Sequence, residues 1–280
     1  MVSARQRNNA ISGTHRNWYL TIGVTLTACM LAFIAVGFFW TPYVPSAMSS
    51  ADKYAGPSAA HPFGCDQMGR DILSRTLEGA GSTLTIALAV LAVGAVCGLA
   101  IGALCGYYGG PADALIMRLC DAIAAFPSVL LAMVVIAVTG RGKYNVIAAL
   151  GVLFIPSFAR LVRGEFLKYR DRDFVQSARL MGVSDLRIIF VHILPNTWPV
   201  LLSGLTIGFN NAVLSEASMS YLGIGLSPTE PSLGYMLSDA QGYLGRAPWY
   251  TLFPAAVVIL LILGAGLVGE GIRTRMGVES

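Results

Sequence analysis

The chain has 280 residues, 55% of them hydrophobic and only 12% charged, with a mean hydropathy of +0.65. A soluble domain of this length needs far more charge to cover its surface, so the composition points to a membrane protein. The formal net charge of +4 is too mild to argue for a nucleic-acid partner, and none is expected.

Cys29, Cys97, Cys105 and Cys120 sit in or beside apolar runs, where cysteine is a small apolar filler. Cys65 alone lies in a polar segment, without a nearby partner, so a disulfide framework is not expected. His15, His61 and His192 are scattered, and no metal-ligand spacing is visible.

A helix needs about 20 apolar residues to cross the hydrocarbon. The first such stretch is Trp18 to Trp40, after a tail of residues 1–17. It is too long for a signal-peptide core, and "FFWTPYVPS" offers no small-residue cleavage site, so it is read as an uncleaved helix. A polar segment follows, Thr41 to Glu78, and completes a first unit of residues 18–78. In its "HPFGCDQMGRDILSR", Asp66/Arg70 and Asp71/Arg75 are spaced i,i+4, which predicts a short amphipathic helix leading into the second span.

The second span lies within Gly79 to Ala112 and opens a five-helix unit, residues 79–272. Gly94, Gly98, Gly102 and Gly106 recur every fourth residue and form one slowly drifting stripe. Four glycines in register predict a close-packed helix contact, with Val90 expected to lie away from it. The third span is Ala122 to Gly140. The "TGRGKY" that follows is not a phosphate loop: the required first glycine is Ala137, and Tyr144 follows Lys143 where Ser or Thr is needed.

The fourth span is Tyr144 to Ala159, with Arg160 and Arg163 able to snorkel at its end. Next comes the densest charge in the chain, residues 165–196. Here Asp173 is an expected N-cap for a helix through Phe174, Ser177, Ala178 and Met181, and Gly182 can end it in a left-handed conformation. Ser184 can cap a second helix carrying Leu186, Ile189, Phe190 and Ile193, before Pro195 punctuates the entry to the next span. The product is a compact polar knob between two membrane spans.

The fifth span is Ile193 to Ser215. Glu216 at its end is a possible group on a substrate path, although a carboxylate near a membrane boundary is more often structural. Ala217 to Arg246 reads as loop and short helix, the sixth span is Ala247 to Gly269, and a tail of residues 273–280 closes the chain. Six spans put both termini on one side. With the N-terminus inside, 13 of the 19 Lys and Arg lie in inner segments and 6 in outer ones, so the expected topology is N-in, C-in. Ser58 and Thr229 then face outside, and the knob faces the cytoplasm.

The knob resembles the Glu-Ala-Ala coupling loop of binding-protein-dependent ABC transporter permeases. Gln176 and Ser177 stand where the family has Glu and Ala, Ala178 and Gly182 match, and Ile193-Leu194-Pro195 closes the pattern. "HPFGCDQMGRDILSR" is similar to the outer-loop signature of the dipeptide, oligopeptide and nickel subfamily: His61, Pro62, Gly64, Asp66, Gly69, Arg70, Asp71, Ser74 and Arg75 match, while Phe63 and Cys65 depart. "YLGIGLSPTEPSLGYML" resembles its last outer segment.

The resemblance implies an all-α permease of six transmembrane helices in a bacterial or archaeal cytoplasmic membrane. It implies a second homologous permease, two cytoplasmic ATPases and an extracytoplasmic substrate-binding protein as partners. ATP and magnesium would bind those ATPases and no cofactor this chain, which would not itself be an enzyme. Phe174, Gln176, Ser177, Ala178, Gly182, Leu194 and Pro195 would couple to an ATPase, with Ala178 facing its groove. The expected cargo is a di- or oligopeptide, with nickel or a metal chelate as the alternative. A secondary transporter driven by an ion gradient, the reading of another class, should show intramembrane ionisable residues or paired broken helices, and the charge-free spans argue against it.

Overall fold

The computed structural model describes residues 3–226 and 230–275, with side chains from residue 18 onward; Thr229 and the last five residues of the C-terminal tail lie outside the described residues. Among them no strand forms, and the chain is helical almost throughout. Five helices are long and apolar enough to cross a membrane: α1 (Ser3–Phe39, apolar over Trp18–Phe39), α2 (Ile72–Tyr108), α5 (Lys143–Tyr169), α8 (Leu194–Tyr221) and α10 (Pro248–Arg275).

The predicted third span is instead a bent pair. α3 (Gly110–Ala124) and α4 (Ser128–Thr139) meet at 86°. Pro127 is the N-cap of α4 and disfavours helical backbone at Phe126 before it. At 1.5 Å per residue α4 is about 18 Å long, well short of the hydrocarbon thickness, so neither half crosses alone.

Helix directions follow from the glycine contacts. A Cβ added to Gly94 or Gly98 would meet Phe154 Cβ at 2.6 Å or Phe158 Cβ at 2.4 Å. At Gly102 and Gly106 it would meet Ala159 O at 2.5 Å and Phe166 Cβ at 2.6 Å. Both helices advance together, so α2 and α5 run parallel with their backbones in close approach. α3 and α4 must therefore carry the chain back between them, which makes the bent pair one broken span. Val90, expected off this stripe, is one further turn along it and fully buried. α1 runs antiparallel to α10, as Gly271 approaches Leu20, Gly23 approaches Leu267 and Gly264 approaches Thr27. α8 is also antiparallel to α10, with Gly269 against Thr206. The N-terminal end of α1, the C-terminal end of α10 and the knob before α8 thus share one end of the bundle.

The opposite end carries the loop of residues 40–71. The expected short amphipathic helix does not form apart from the second span: residues 61–71 are non-helical, and helix begins only at Ile72, as the first turns of α2. Asp66 instead folds the chain into a turn: its Oδ1 accepts from the Met68 and Arg70 backbone N–H groups at 2.8 and 2.9 Å, and its Oδ2 from Arg70 Nε at 2.6 Å. Gly69 closes that turn at φ +73°, where a Cβ would strike Ser49 O. Asp71 does not pair with Arg75; it caps α2 by accepting from Ser74 N at 2.7 Å. Arg75 reaches Asp66 at 3.8 Å.

Asp239, on the short helix α9 (Leu233–Ala240), accepts from Gln67 Nε2 at 2.7 Å and Tyr250 OH at 2.9 Å, which ties this loop to α9 and α10. Burial, then the charge of Asp71, pushes the Cys65 thiol up to about 12, so it stays neutral. Among the described residues, no cluster of His, Cys, Asp or Glu is arranged to hold a metal ion.

Candidate functional site: a surface knob and a membrane-depth cavity

The knob begins with α6 (Asp173–Leu180). Its N-cap is Arg172, in extended backbone, and Asp173 occupies the first turn, where a carboxylate complements the helix dipole. The cap expected at Asp173 is therefore one residue early. Gly182 adopts φ +76°, as its position after the helix requires, and a Cβ there would meet nothing within 4 Å. The constraint at this corner is backbone conformation, not space.

Ser184 is the N-cap of α7 (Asp185–Arg187), but without a side-chain hydrogen bond. The expected separate second helix does not stop before the fifth span. A π-helical segment, Ile188–Ile193, joins α7 to α8 without a break. Leu194 N–H donates to Ile189 O, five residues back, and this wider turn is where Pro195, with no N–H to give, enters α8.

Burial sorts the knob residues. Val175, Ala178, Ile188, Ile189 and Ile193 form one apolar seam with Val162 and Phe166 of α5 and Ala103 and Tyr107 of α2. Ala178 is 2% exposed, so it faces this seam and not an outside groove, which corrects the expectation for that residue. Gln176, Ser177 and Pro195 are exposed, and Leu194 is half-buried. Gln176 Nε2 donates to Asp171 O at 3.2 Å. Phe174 is exposed, and Leu180 and Met181, beside the Gly182 corner, are 90% and 76% exposed. Leu180 and Met181 together form an exposed apolar tip in a segment whose Arg172, Asp173 and Arg187 are exposed as well, and an exposed apolar patch with polar residues in its segment marks a contact surface.

The second feature was not anticipated. A cavity of ≈ 530 Å³ opens between the start of α4, the middle of α5 and α8. Its polar lining is Ser128, Ser157, Asn211, Ser215 and Ser218, its apolar lining includes Phe154, Phe158 and Ile207, and no charged side chain lines it. The volume suits a small solute. In α8 the lining residues Gly204, Gly208, Asn211, Ser215 and Ser218 are three or four apart, a polar and small stripe on one helix face. That periodicity is in the sequence, but only the fold brings Ser128 and Ser157 to it.

Glu216 points elsewhere. It is fully buried, Ser220 Oγ donates to its Oε1 at 2.8 Å, and its Oε2 has no hydrogen-bond partner although Thr83 of α2 lies near. It belongs to the contact between α8 and α2 and does not line the cavity, so its expected place on a substrate path is not supported.

The sequence of residues 98–278 matches a family described as the inner membrane component of binding-protein-dependent transport systems. The glutathione transport system permease protein GsiD of Escherichia coli O6:K15:H31 (strain 536 / UPEC) is 41% identical over 263 residues, covering 93% of this chain and 87% of GsiD. GsiD of Shigella dysenteriae serotype 1 (strain Sd197) is 40% identical over the same length. Among solved structures, an inward-facing form of the MetNI methionine ABC transporter superposes with a TM-score of 0.61 at 21% identity, covering 72% of this chain and 95% of that one. At that identity the likeness concerns the fold alone.

Proposed function

The chain belongs to the binding-protein-dependent inner membrane permeases of ABC importers, and we propose that it forms half of a pathway for small peptides, tripeptides of the glutathione kind among them. It is a multi-pass inner-membrane protein. Membership in this family replaces the ion-gradient reading.

The cavity carries the substrate reading. Peptides are zwitterions that present amide, ammonium and carboxylate groups in varied order. A wall of hydroxyls and one carboxamide can give or accept hydrogen bonds with any of these. Because it holds no fixed charge, it neither traps nor repels one end of the solute. A pathway must bind weakly enough to release, and neutral partners meet that need.

The knob carries the coupling reading, and its residues do mechanical work. With the knob in the cytoplasm, as the balance of positive charge favours, its Leu180–Met181 tip would seat in an ATPase subunit. ATP binding would favour the closed ATPase pair, and the permease states that fit it would gain population. Phe174, Gln176, Ser177 and Pro195 are exposed and would join that contact, while Ala178 and Leu194 would shape the knob from within. A second permease would close the open side of the cavity, and an external binding protein would deliver the solute to the loop end.

Uptake by cells lacking this chain tests the substrate. Uptake of labelled glutathione or dipeptide should be lost in these cells, return with the intact gene, and stop again when ATP is depleted. Unchanged peptide uptake with loss of nickel uptake would overturn the peptide reading and favour the metal one.

A further inference from the structure

The apolar seam holds the knob against the bundle, but a seam can slide. A directional tie stands beside it. Tyr107, in the last turn of α2 and 5% exposed, donates its hydroxyl hydrogen to Asp185 Oδ1 at 2.6 Å. The Tyr107 hydroxyl oxygen in turn accepts from Arg179 Nε at 3.3 Å, and the Arg179 guanidinium carbon lies 4.9 Å from the Tyr107 ring centroid. Tyr108 stacks edge-on against Tyr107, with ring centroids 5.0 Å apart, and its hydroxyl stands 3.5 Å from Asp185 Oδ2.

Arg179 is on α6 and Asp185 on α7, so one phenol reaches both arms of the knob across the Gly182 corner. At Gly182 itself an added Cβ would meet nothing within 4 Å, while Val183 beside it packs against the seam. A corner open on its glycine side and bridged by a hydrogen-bonded ring becomes stiff. An ion pair alone would not do this: it is weak at a surface and has no fixed direction. A short hydrogen bond to a carboxylate has both strength and direction.

The tie continues into the membrane. α2 is interlocked with α5 along Gly94, Gly98, Gly102 and Gly106, so the two move as one body. α5 supplies Leu153, Phe154, Ser157, Phe158 and Leu161 to the cavity wall. Arg163 of α5 also holds Asp113 of α3 in a two-pronged pair at 2.5 and 2.7 Å, which brings the start of the broken span along.

We infer that Tyr107 is a positioning residue for transport: by clamping Arg179 and Asp185 across the Gly182 corner, it passes displacement of the knob to α2, α5 and the cavity wall. The inference rests on the coupling reading of the knob given above.

The test uses the complete transporter, with its ATPase and permease partners, in proteoliposomes supplied with the binding protein and glutathione as the probe. Tyr107→Phe keeps the ring, its burial and the ring's contact with the Arg179 guanidinium, and removes the hydroxyl with its hydrogen bonds to Asp185 and Arg179. Asp185→Ala removes the acceptor at an exposed position. Each should leave ATPase association and basal hydrolysis unchanged and lower the peptide moved per ATP on the order of tenfold, the effect of losing one hydrogen bond to a charged group.

The double variant should be no worse than the more affected single one, because both break the Tyr107–Asp185 bond, and Asp185→Asn, which keeps an acceptor, should restore much of the loss of Asp185→Ala. Wild-type peptide per ATP in both single variants would overturn the inference, as would additive losses in the double variant. Should Tyr107→Phe lower the yield of assembled complex, Asp185→Ala and Asp185→Asn decide the matter alone. Met181→Asp serves as a separate control: normal ATPase association in that variant counts against the coupling reading itself, whatever Tyr107 does.

Discussion

Gly182 and Ala178 stand four residues apart and act for different reasons. Gly182 sits at φ +76° in open space, so a side chain there is penalised through the backbone alone. Gly182→Ala should cost about 1–2 kcal/mol and Gly182→Val more, since β-branching narrows the choice further. Both should leave the permease in the membrane with a misdirected tip, read as reduced ATPase association in detergent-solubilised complex. Ala178 is buried in the seam. Ala178→Asp would place an unpaired charge among isoleucines, at a cost on the order of several kcal/mol, and should unfold the knob. Limited proteolysis within residues 170–190 would report it; an intact knob in Ala178→Asp would contradict its place in the seam.

This pair also marks what can be read at the residue scale. Gly182 was legible because positive φ is a local property of a helix end. The direction of Ala178 is not legible in the same way: Phe174, Ser177, Ala178 and Met181 follow helical spacing, yet the buried pair of this helix is Val175 and Ala178. One residue on a helix turns the face by about 100°, and an eight-residue helix is too short for its pattern to fix the phase.

At the scale of elements, the glycine stripe was visible as a period and its partner was not. Helix pairing is set by contacts 60 residues apart, and nothing local in α2 names α5. Gly102→Leu should force apart surfaces that now meet at 2.5 Å between its virtual Cβ and Ala159 O. Overpacking of this kind costs about 1–3 kcal/mol, and more where backbone must move. Val96→Leu, at a 67% exposed position on the same helix, is the matched control. Thermal unfolding in detergent should separate the two, and equal midpoints would count against a close-packed α2–α5 contact.

The same distinction explains Glu216. Sequence gives its depth along α8 but not the side of the helix that meets the cavity. Ser215, the residue before it, lines that cavity. Ser215→Leu should block peptide uptake without loss of ATPase association. Glu216→Gln keeps an acceptor for Ser220 and should transport normally. The reverse result would return Glu216 to the substrate path. The bend in the third span is hidden for a different reason: Ala122–Gly140 is long and apolar enough to read as one crossing, and apolar length carries no sign of the break that Pro127 makes.

For the whole molecule, the six-span pattern was legible because a bilayer demands about 20 apolar residues per crossing. The shared end of the knob and both terminal helices follows from helix directions, and the cytoplasmic side proposed for that end rests on the charge balance. The proposed function gives two structural bodies two jobs: the apolar tip of the knob would serve an ATPase, and the neutral cavity a solute. The account stands on the link between them. The most direct measurement is peptide-stimulated ATP hydrolysis and uptake in the reconstituted importer carrying Met181→Asp, a change confined to the exposed tip. We expect the variant to insert and fold normally, to lose bound ATPase, and to lose peptide-stimulated hydrolysis and uptake together. Normal ATPase binding with wild-type uptake would contradict the claim that this knob couples ATP hydrolysis to transport.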